Sequence, residues 1–484
     1  MKKSIALISI LCLLFINIST CYANPVSNAI STAKINDTKS TKSSKIKWPD
    51  NKPTVNSEAA IVMEASTGAV LYSKNIHKTY FPASITKIMT ALLAIENSSL
   101  GETVTFSKKA IYDVDLDSSR IGIDVGEKLT MEQCLYGIML ESANEVSYAI
   151  AEHISGNVES FADLMNKKAA ELGCTDTNFV NPHGLPNPNH YTSAYDMALI
   201  SRAAINNDVF RKITGTRTYA IPPTNVQNET RYLANHHKFI KGDLDYDGVI
   251  GGKTGYTSKA LYTLVTFAER DGMTLISVIM HCDSIQHEYA DTANLLNYGF
   301  DNFKIYNITD KENPDMEETA PLFAKYSPLF SRTTSNLQIS SKGNIVLPNT
   351  ADYKDAKKEI VLKPLDKIMD GENVIGSIQY TYGDTFVGSA DIIYNNVPSQ
   401  NVLKGSYIPT PTKSPDSGNN PGVNRFDDSN NLKPVIITII VGCIIIGFLL
   451  YMVFIELPFR KRRNTYLEKK GRKKHYNKKD YVDF

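Results

Sequence analysis

The chain has 484 residues, 42% of them hydrophobic and 21% charged, with a formal net charge of +1. Such length is enough for one large domain and a smaller one, and the near-balanced charge leaves no nucleic-acid footprint. Of six cysteines, Cys12 and Cys21 lie near the N-terminal end and Cys443 in an apolar run near the C-terminal end; Cys134, Cys174 and Cys282 remain, an odd number without metal-like spacing, which argues against a disulfide framework and a zinc site.

The first element is a secretory signal peptide over residues 1–23: Met1-Lys2-Lys3, an apolar stretch at 5–18 and a small-residue end, Cys21-Tyr22-Ala23, with cleavage expected after Ala23. A lipoprotein reading through Cys21 is weaker, because the bulkier Thr20 precedes it. Residues 24–48 are rich in Ser, Thr, Lys and Asn and read as a flexible spacer. From there to about residue 310, helical and strand periodicities alternate, which predicts a helical cluster packed on an antiparallel sheet.

Within that stretch, Ser84-Ile85-Thr86-Lys87 opens an amphipathic helix marked by Ile85, Ile88, Met89, Leu92 and Ile95, with Pro82 at its entry. Ser84 and Lys87, three residues apart, share a helix face, so the amine can take the hydroxyl proton if burial or a nearby cation keeps it neutral. Two other matches to this spacing, Ser31 with Lys34 and Ser44 with Lys47, lie in the polar spacer without apolar periodicity. Next, Ser142-Ala143-Asn144 falls between two apolar runs and is placed on a short turn between buried helices, whereas Ser155-Gly156-Asn157 reads as a helix end. His236-His237 is an isolated pair, structural or substrate-lining. Lys253-Thr254-Gly255 precedes two β-rich runs separated by Asp271-Gly272, an antiparallel hairpin that puts Lys253 on an edge strand.

Beyond the large domain, residues 316–398 carry short β-rich runs at 359–362, 374–382 and 389–394, the pattern of a small β-sandwich. Residues 399–433 read as a Pro, Ser, Asn and Gly-rich linker, and 434–455 as an uncharged apolar run long enough for a transmembrane helix. The tail at 456–484 is basic, with 11 Lys or Arg against 3 Asp or Glu from Arg460 onward, which makes it cytoplasmic and the rest extracytoplasmic. Setting aside the tail and the signal leaves the exported portion at about −9, a charge suited to solubility at an outer surface.

Read alone, the three short motifs also fit a capped helix, a polar turn and a surface strand. Together and in this order, S-x-x-K, S-x-N and K-T-G are the set found in serine acyl-transfer enzymes that react with penicillin. The chain resembles the low-molecular-weight penicillin-binding proteins of the D-alanyl-D-alanine carboxypeptidase type, peptidase family S11, over about residues 50–400. The hairpin-like 59–72 and Asn181-Pro182-His183-Gly184-Leu185 add to the likeness. The resemblance implies an α+β fold: a penicillin-binding/transpeptidase-like domain over 49–310, followed by the small β-sandwich domain and the C-terminal transmembrane helix. It implies Ser84 as acylated nucleophile, Lys87 as general base, Ser142 and Asn144 as the second-motif pair, and Lys253 and Thr254 as the carboxylate binders, beside Gly255, which leaves room for a peptide-like substrate against the strand. Backbone N–H groups of Ser84 and Tyr256 would form the oxyanion hole.

The implied reaction removes the terminal D-alanine from peptidoglycan stem pentapeptides through a Ser84 acyl-enzyme. No cofactor or metal is required, and β-lactams act as covalent inhibitors. Two departures from the family pattern stand out. Glu145 follows Asn144 where Asp is common, and the usual arginine after the K-T-G motif is not evident, leaving Arg270 or Lys259 as substitutes. A D,D-endopeptidase or a β-lactamase shares the three motifs, although no partner glutamate for a deacylating water stands out. A membrane-anchored penicillin sensor is an alternative of another class, disfavoured by the absence of a recognisable output domain.

Overall fold

A computed structural model describes residues 47–312, 337–363 and 368–396. The sheet at its centre begins with a buried strand, β1 (Ala59–Glu64), paired to β2 (Val70–Lys74) and later to strands from much farther along the chain. β3 (Val249–Thr257), β4 (Leu261–Arg270) and β5 (Met273–Cys282) complete five antiparallel strands in the order β2-β1-β5-β4-β3. Ala59 stands opposite Met280, and Lys253 opposite Val265. β3 is therefore an edge, as expected, and the β4–β5 turn falls at Asp271-Gly272, both at positive φ (49° and 76°), as a tight hairpin turn requires. All six residues of β1 are buried because both faces of the sheet are covered. Its one acid, Glu64, accepts the N–H groups of Ser66 and Thr67 and so shapes the turn that follows.

A helical cluster covers one face. A 3-10 turn at Ala83–Thr86 leads into α1 (Lys87–Asn97), followed by α2 (Met131–Leu140), α3 (Asn144–Ser155), α4 (Val158–Glu171), α5 (Ala194–Ile205) and α6 (Asp208–Thr214). Ile88, Leu92, Leu135, Val146 and Met197 pack with Ile61, Val265 and Ile276 of the sheet, each burial contributing about 1.5–3 kcal/mol in transfer from water. Thr130 and Gln133 close a capping box at the start of α2. Gly156 ends α3 and the Asn157 side chain caps α4, so Ser155-Gly156-Asn157 is a helix stop and start, as its sequence predicts. The opposite face is covered by α7 (Ile285–Asn302), whose Leu295, Leu296 and Tyr298 pack on Val62, Leu264 and Ile279.

α7 runs directly into β6 (Phe303–Asn307), the first strand of a second antiparallel sheet. That sheet continues with β7 (Leu337–Ile339), β8 (Asn344–Pro348), β9 (Lys357–Leu362), β10 (Gly371–Tyr382) and β11 (Thr385–Asn396), in the order β6-β8-β11-β10-β9 with β7 on β11. It thus takes its first strand from within the stretch expected to be catalytic, because the helix passes into the strand at Asn302-Phe303 with no intervening loop. A second sheet that would complete a sandwich is not among the described residues. Buried Glu312 accepts hydrogen bonds from the Tyr380 hydroxyl and Lys358 Nζ at 3.1 and 3.0 Å.

Trp48 corrects the spacer boundary. The chain's only tryptophan sits against Phe303 and Tyr382, with ring centroids 5.6 and 5.8 Å away, and Lys47 N–H donates to the Tyr382 hydroxyl. A composition window dominated by Ser and Lys masked one large apolar side chain. The signal (1–23), the rest of the spacer, the linker, the apolar run at 434–455 and the basic tail lie outside the described residues. Among the described residues, no helix is long and apolar enough to cross a membrane, and Cys134, Cys174 and Cys282 are free thiols.

The turn at 181–185 presses on the start of α1. A Cβ on Gly184 (φ +88°) would stand 1.8 Å from Ala83 O, whereas one on Gly173 (φ +85°) would meet nothing within 4 Å. Gly173→Ala should cost about 1–2 kcal/mol for its left-handed backbone. Gly184→Ala should cost at least about 3 kcal/mol, because overpacking adds to the same strain. Urea unfolding of both variants checks this; equal losses would show that the turn yields freely.

Candidate active site

Three elements converge where the helical cluster meets the edge strand. The first is the turn at Ala83, itself at φ +51°, which leads to Ser84. Thr263 Oγ1 of β4 donates to Pro82 O at 2.9 Å and ties this turn to the sheet. A Cβ on Gly255 would fall 2.9 Å from Ser84 N and 2.4 Å from Thr263 Oγ1, so only glycine lets β3 run this close to the Ser84 amide.

One helical turn on, the Lys87 side chain is fully buried. Its Nζ lies 3.0 Å from Ser84 Oγ, 2.6 Å from Asn144 Oδ1 and 2.7 Å from His183 O. Burial, and then the charge of Lys253, hold this amine well below the usual ammonium range, against an opposing pull from Glu145. A neutral amine has two N–H bonds and one lone pair. Asn144 and His183 are the closer acceptors and take the N–H bonds, which leaves the lone pair to accept the Ser84 hydroxyl proton.

Neighbouring imidazoles stay uncharged. His183 is pushed well below its ordinary value by burial and then by Lys87, and its Nδ1 accepts the Leu185 N–H. His190 is pushed down to about 3 by burial first and Lys87 second. Its Nδ1 accepts the Val180 N–H, which leaves Nε2 to donate to Thr86 Oγ1 at 3.0 Å.

The second element is the turn between α2 and α3. Ser142 adopts φ +60°, a left-handed conformation that is strained for serine. Its Oγ is buried without a hydrogen-bond partner, available to a substrate atom. Asn144 is fixed by its own N–H to Ser119 O at 2.9 Å, and Glu145 Oε1 accepts the Ile121 N–H, so the turn is clipped to the 119–122 loop.

The third element is β3. Lys253 is 1% exposed, and its Nζ donates to Thr254 O at 3.0 Å. Burial lowers its pKa to about 7, partly offset by the charge of Glu141. Tyr256 is 57% exposed, its ring 4.6 Å from that of Tyr262.

Of the two basic residues considered as partners for Lys253, Arg270 is committed elsewhere. Its guanidinium donates to Asp247 O and lies over the rings of Tyr246 and Phe300. Lys259 is exposed on the turn between β3 and β4. His237 is buried under β3 and pairs with Thr266 Oγ1 at 2.8 Å, a structural placement, while half-exposed His236 pairs with Glu141 at 2.9 Å. Sequence motifs missed the His183 carbonyl because a backbone acceptor has no side-chain signature; the Asn181-Pro182-His183-Gly184-Leu185 stretch was the available clue. The two glutamates that act on the lysines have structural contacts of their own. Glu141 accepts the Ala234 N–H and pairs with His236, and Glu145 is buried against Ile121.

A partly exposed serine, a lysine held neutral, an unpartnered hydroxyl and a second buried lysine on a strand edge form an acyl-transfer site. A sequence model of the D-alanyl-D-alanine carboxypeptidases, peptidase family S11, matches residues 46–284. The D-alanyl-D-alanine carboxypeptidase DacF of Bacillus subtilis is 34% identical over 309 residues, covering 63% of this chain and 76% of that protein. DacA of Haemophilus influenzae, also a D-alanyl-D-alanine carboxypeptidase, is 29% identical over 360 residues, covering 72% of this chain and 88% of that protein. Penicillin binding protein 5 from Haemophilus influenzae has a solved structure that aligns with a TM-score of 0.55 at 27% identity, over 72% of this chain and 99% of that one. The chain belongs to the D-alanyl-D-alanine carboxypeptidases, the S11 family of serine peptidases.

Proposed function

We propose that this protein is a serine-type D-alanyl-D-alanine carboxypeptidase that trims peptidoglycan stem pentapeptides, with Ser84 as the acylated residue. The observation that carries this reading is the Lys87 amine, 3.0 Å from Ser84 Oγ with Asn144 Oδ1 and His183 O holding its N–H bonds. Ser84 Oγ attacks the carbonyl between the two terminal D-alanines as its proton passes to Lys87. The oxyanion forms against the N–H groups of Ser84 and Tyr256, donors typically worth about 2.7–4 kcal/mol each. Lys253 and Thr254 hold the terminal carboxylate, and Gly255 leaves room for the substrate backbone along the strand edge. The terminal D-alanine then departs as an amine, its proton returned from Lys87 through Ser142 Oγ. Water attacks the ester, Ser84 regains its proton and the shortened peptide leaves. A β-lactam follows the first half of this path, its opened ring remaining esterified to Ser84.

For localisation, we propose that the signal at 1–23 exports the chain and that the apolar run at 434–455 anchors it, with the basic tail inside. What supports this is the uncharged length of that run and the cluster Arg460-Lys461-Arg462-Arg463 after it. The β-rich region, including a small sandwich if its second sheet is completed, would act as a stand that carries the catalytic cleft away from the membrane.

Ser84→Ala should abolish both covalent labelling by tagged penicillin and release of D-alanine from a stem pentapeptide; a variant that still takes the label would sink the assignment. In the free enzyme kcat/KM should fall about tenfold per pH unit well above pH 7, as the Lys253 ammonium is lost. On the acid side it should fall as Lys87 becomes protonated. A rate profile flat to pH 9 would rule out Lys253 as the carboxylate ligand. A chain ending at residue 400 should keep its activity on a soluble pentapeptide yet leave the membrane fraction, and retention there on fractionation would contradict the anchor.

A further inference from the structure

Glu141 follows the last residue of α2 and precedes Ser142, inside the cleft but outside all three motifs. One carboxylate oxygen accepts the Ala234 N–H at 2.7 Å and the other pairs with His236 Nε2 at 2.9 Å. Ala234 is the last residue of the strand Arg231–Ala234, and His236 follows two residues on. Between them Asn235 Nδ2 donates to Thr214 O and Thr216 O, at 3.1 and 3.0 Å. His237 follows beneath β3, where a Cβ on Gly252 would come 2.5 Å from its Cδ2. The 234–237 segment is thus seated beside Lys253, and Glu141 fastens it to the turn that presents Ser142.

A second relation is electrostatic. The charge of Glu141 favours the cationic form of Lys253, and reciprocally Lys253 helps hold Glu141 ionised, after the larger effects of His236 and Ala234. Glu141 faces His236 from the segment and Lys253 from β3. Lys253 also faces His237, kept neutral by burial, and across the cleft Lys87 of α1, itself opposed by Glu145 of α3. Burial disfavours the ammonium of Lys253, so a nearby fixed negative charge matters most to a lysine that must meet a carboxylate.

We propose that Glu141 is the positioning residue of the substrate-carboxylate grip: it locks the Ser142 turn to the 234–237 segment and supplies the negative charge against which Lys253 remains an ammonium. The consequence for turnover rests on the carboxypeptidase reading, whereas the charge relation stands without it. The full chain carrying a 13Cε-lysine label reports Lys253 directly, through the resonance that a Lys253→Arg variant lacks. Glu141→Gln keeps the shape and an acceptor for Ala234 while removing the charge. It should lower the Lys253 titration midpoint by about one pH unit. Acylation by tagged penicillin should then drop about tenfold at pH 8 yet stay within about twofold at pH 6.

Folded Glu141→Gln with a wild-type midpoint, or with equal losses at both pH values, would overturn the proposal. Should that variant fail to fold, Glu141→Asp decides. With its charge kept on a shorter arm, the midpoint should remain near wild type while the thermal midpoint falls, and a midpoint lowered by a full unit would overturn the charge role. Wild-type protein that shows the titration and its Glu141→Gln shift yet takes no acyl label would support Glu141 and overturn the carboxypeptidase reading.

Discussion

Burial of the Lys87 amine is the constraint around which the rest of the site is built. A lysine with no exposure cannot hold its ammonium cheaply, and its neutral form is useful only if the lone pair is aimed. Asn144 and the His183 carbonyl do the aiming by occupying both N–H bonds. Any further cation nearby would lengthen the list of unfavourable charges, and the two closest imidazoles are neutral for the same reason that Lys87 is. Lys253 is the exception. It is buried nearly as deeply, yet has the charge of Glu141 to oppose its desolvation.

Holding two buried lysines in one cleft demands a rigid frame, and the backbone shows where the frame is loaded. Ala83 and Ser142, neither of them glycine, both adopt left-handed conformations at the two turns that border the site. Each such residue costs on the order of 1–3 kcal/mol and persists only where packing over-determines it. Here the packing comes from Thr263 on Pro82, the 181–185 turn on Ala83 and the 119–122 loop on α3. Small residues complete the fit, since β3 approaches the Ser84 amide only because position 255 lacks a side chain.

Much of this was legible in the sequence, and the reasons differ by element. Ser84 and Lys87 were readable because helical spacing converts directly into a shared face. Lys253 was readable because Asp271-Gly272 announces a hairpin and so an edge. The Ser142 turn could be distinguished from Ser155 by the apolar runs that flank it. What stayed hidden depends on contacts between distant segments: the His183 carbonyl on Lys87, the tie from Glu141 to Ala234, and Arg270 drawn to the far face by two aromatic rings. The entry of Phe303 into the second sheet was hidden for another reason, as helix and strand abut at Asn302-Phe303 with no connecting loop to mark a boundary.

The pairing of β1 with β5 also sets an order of events in time. Ala59 finds its partner at Met280, more than two hundred residues later, with nearly the whole helical cluster in between. At typical synthesis rates of about 5–20 residues per second, roughly ten to forty seconds separate the appearance of these two strands. During that interval the apolar β1–β2 hairpin has an open edge and no sheet to join, the kind of edge that invites pairing with other chains. Ser84 is made early but meets Gly255 of β3 only when that strand docks, so the cleft stays incomplete until the last central strands are in place.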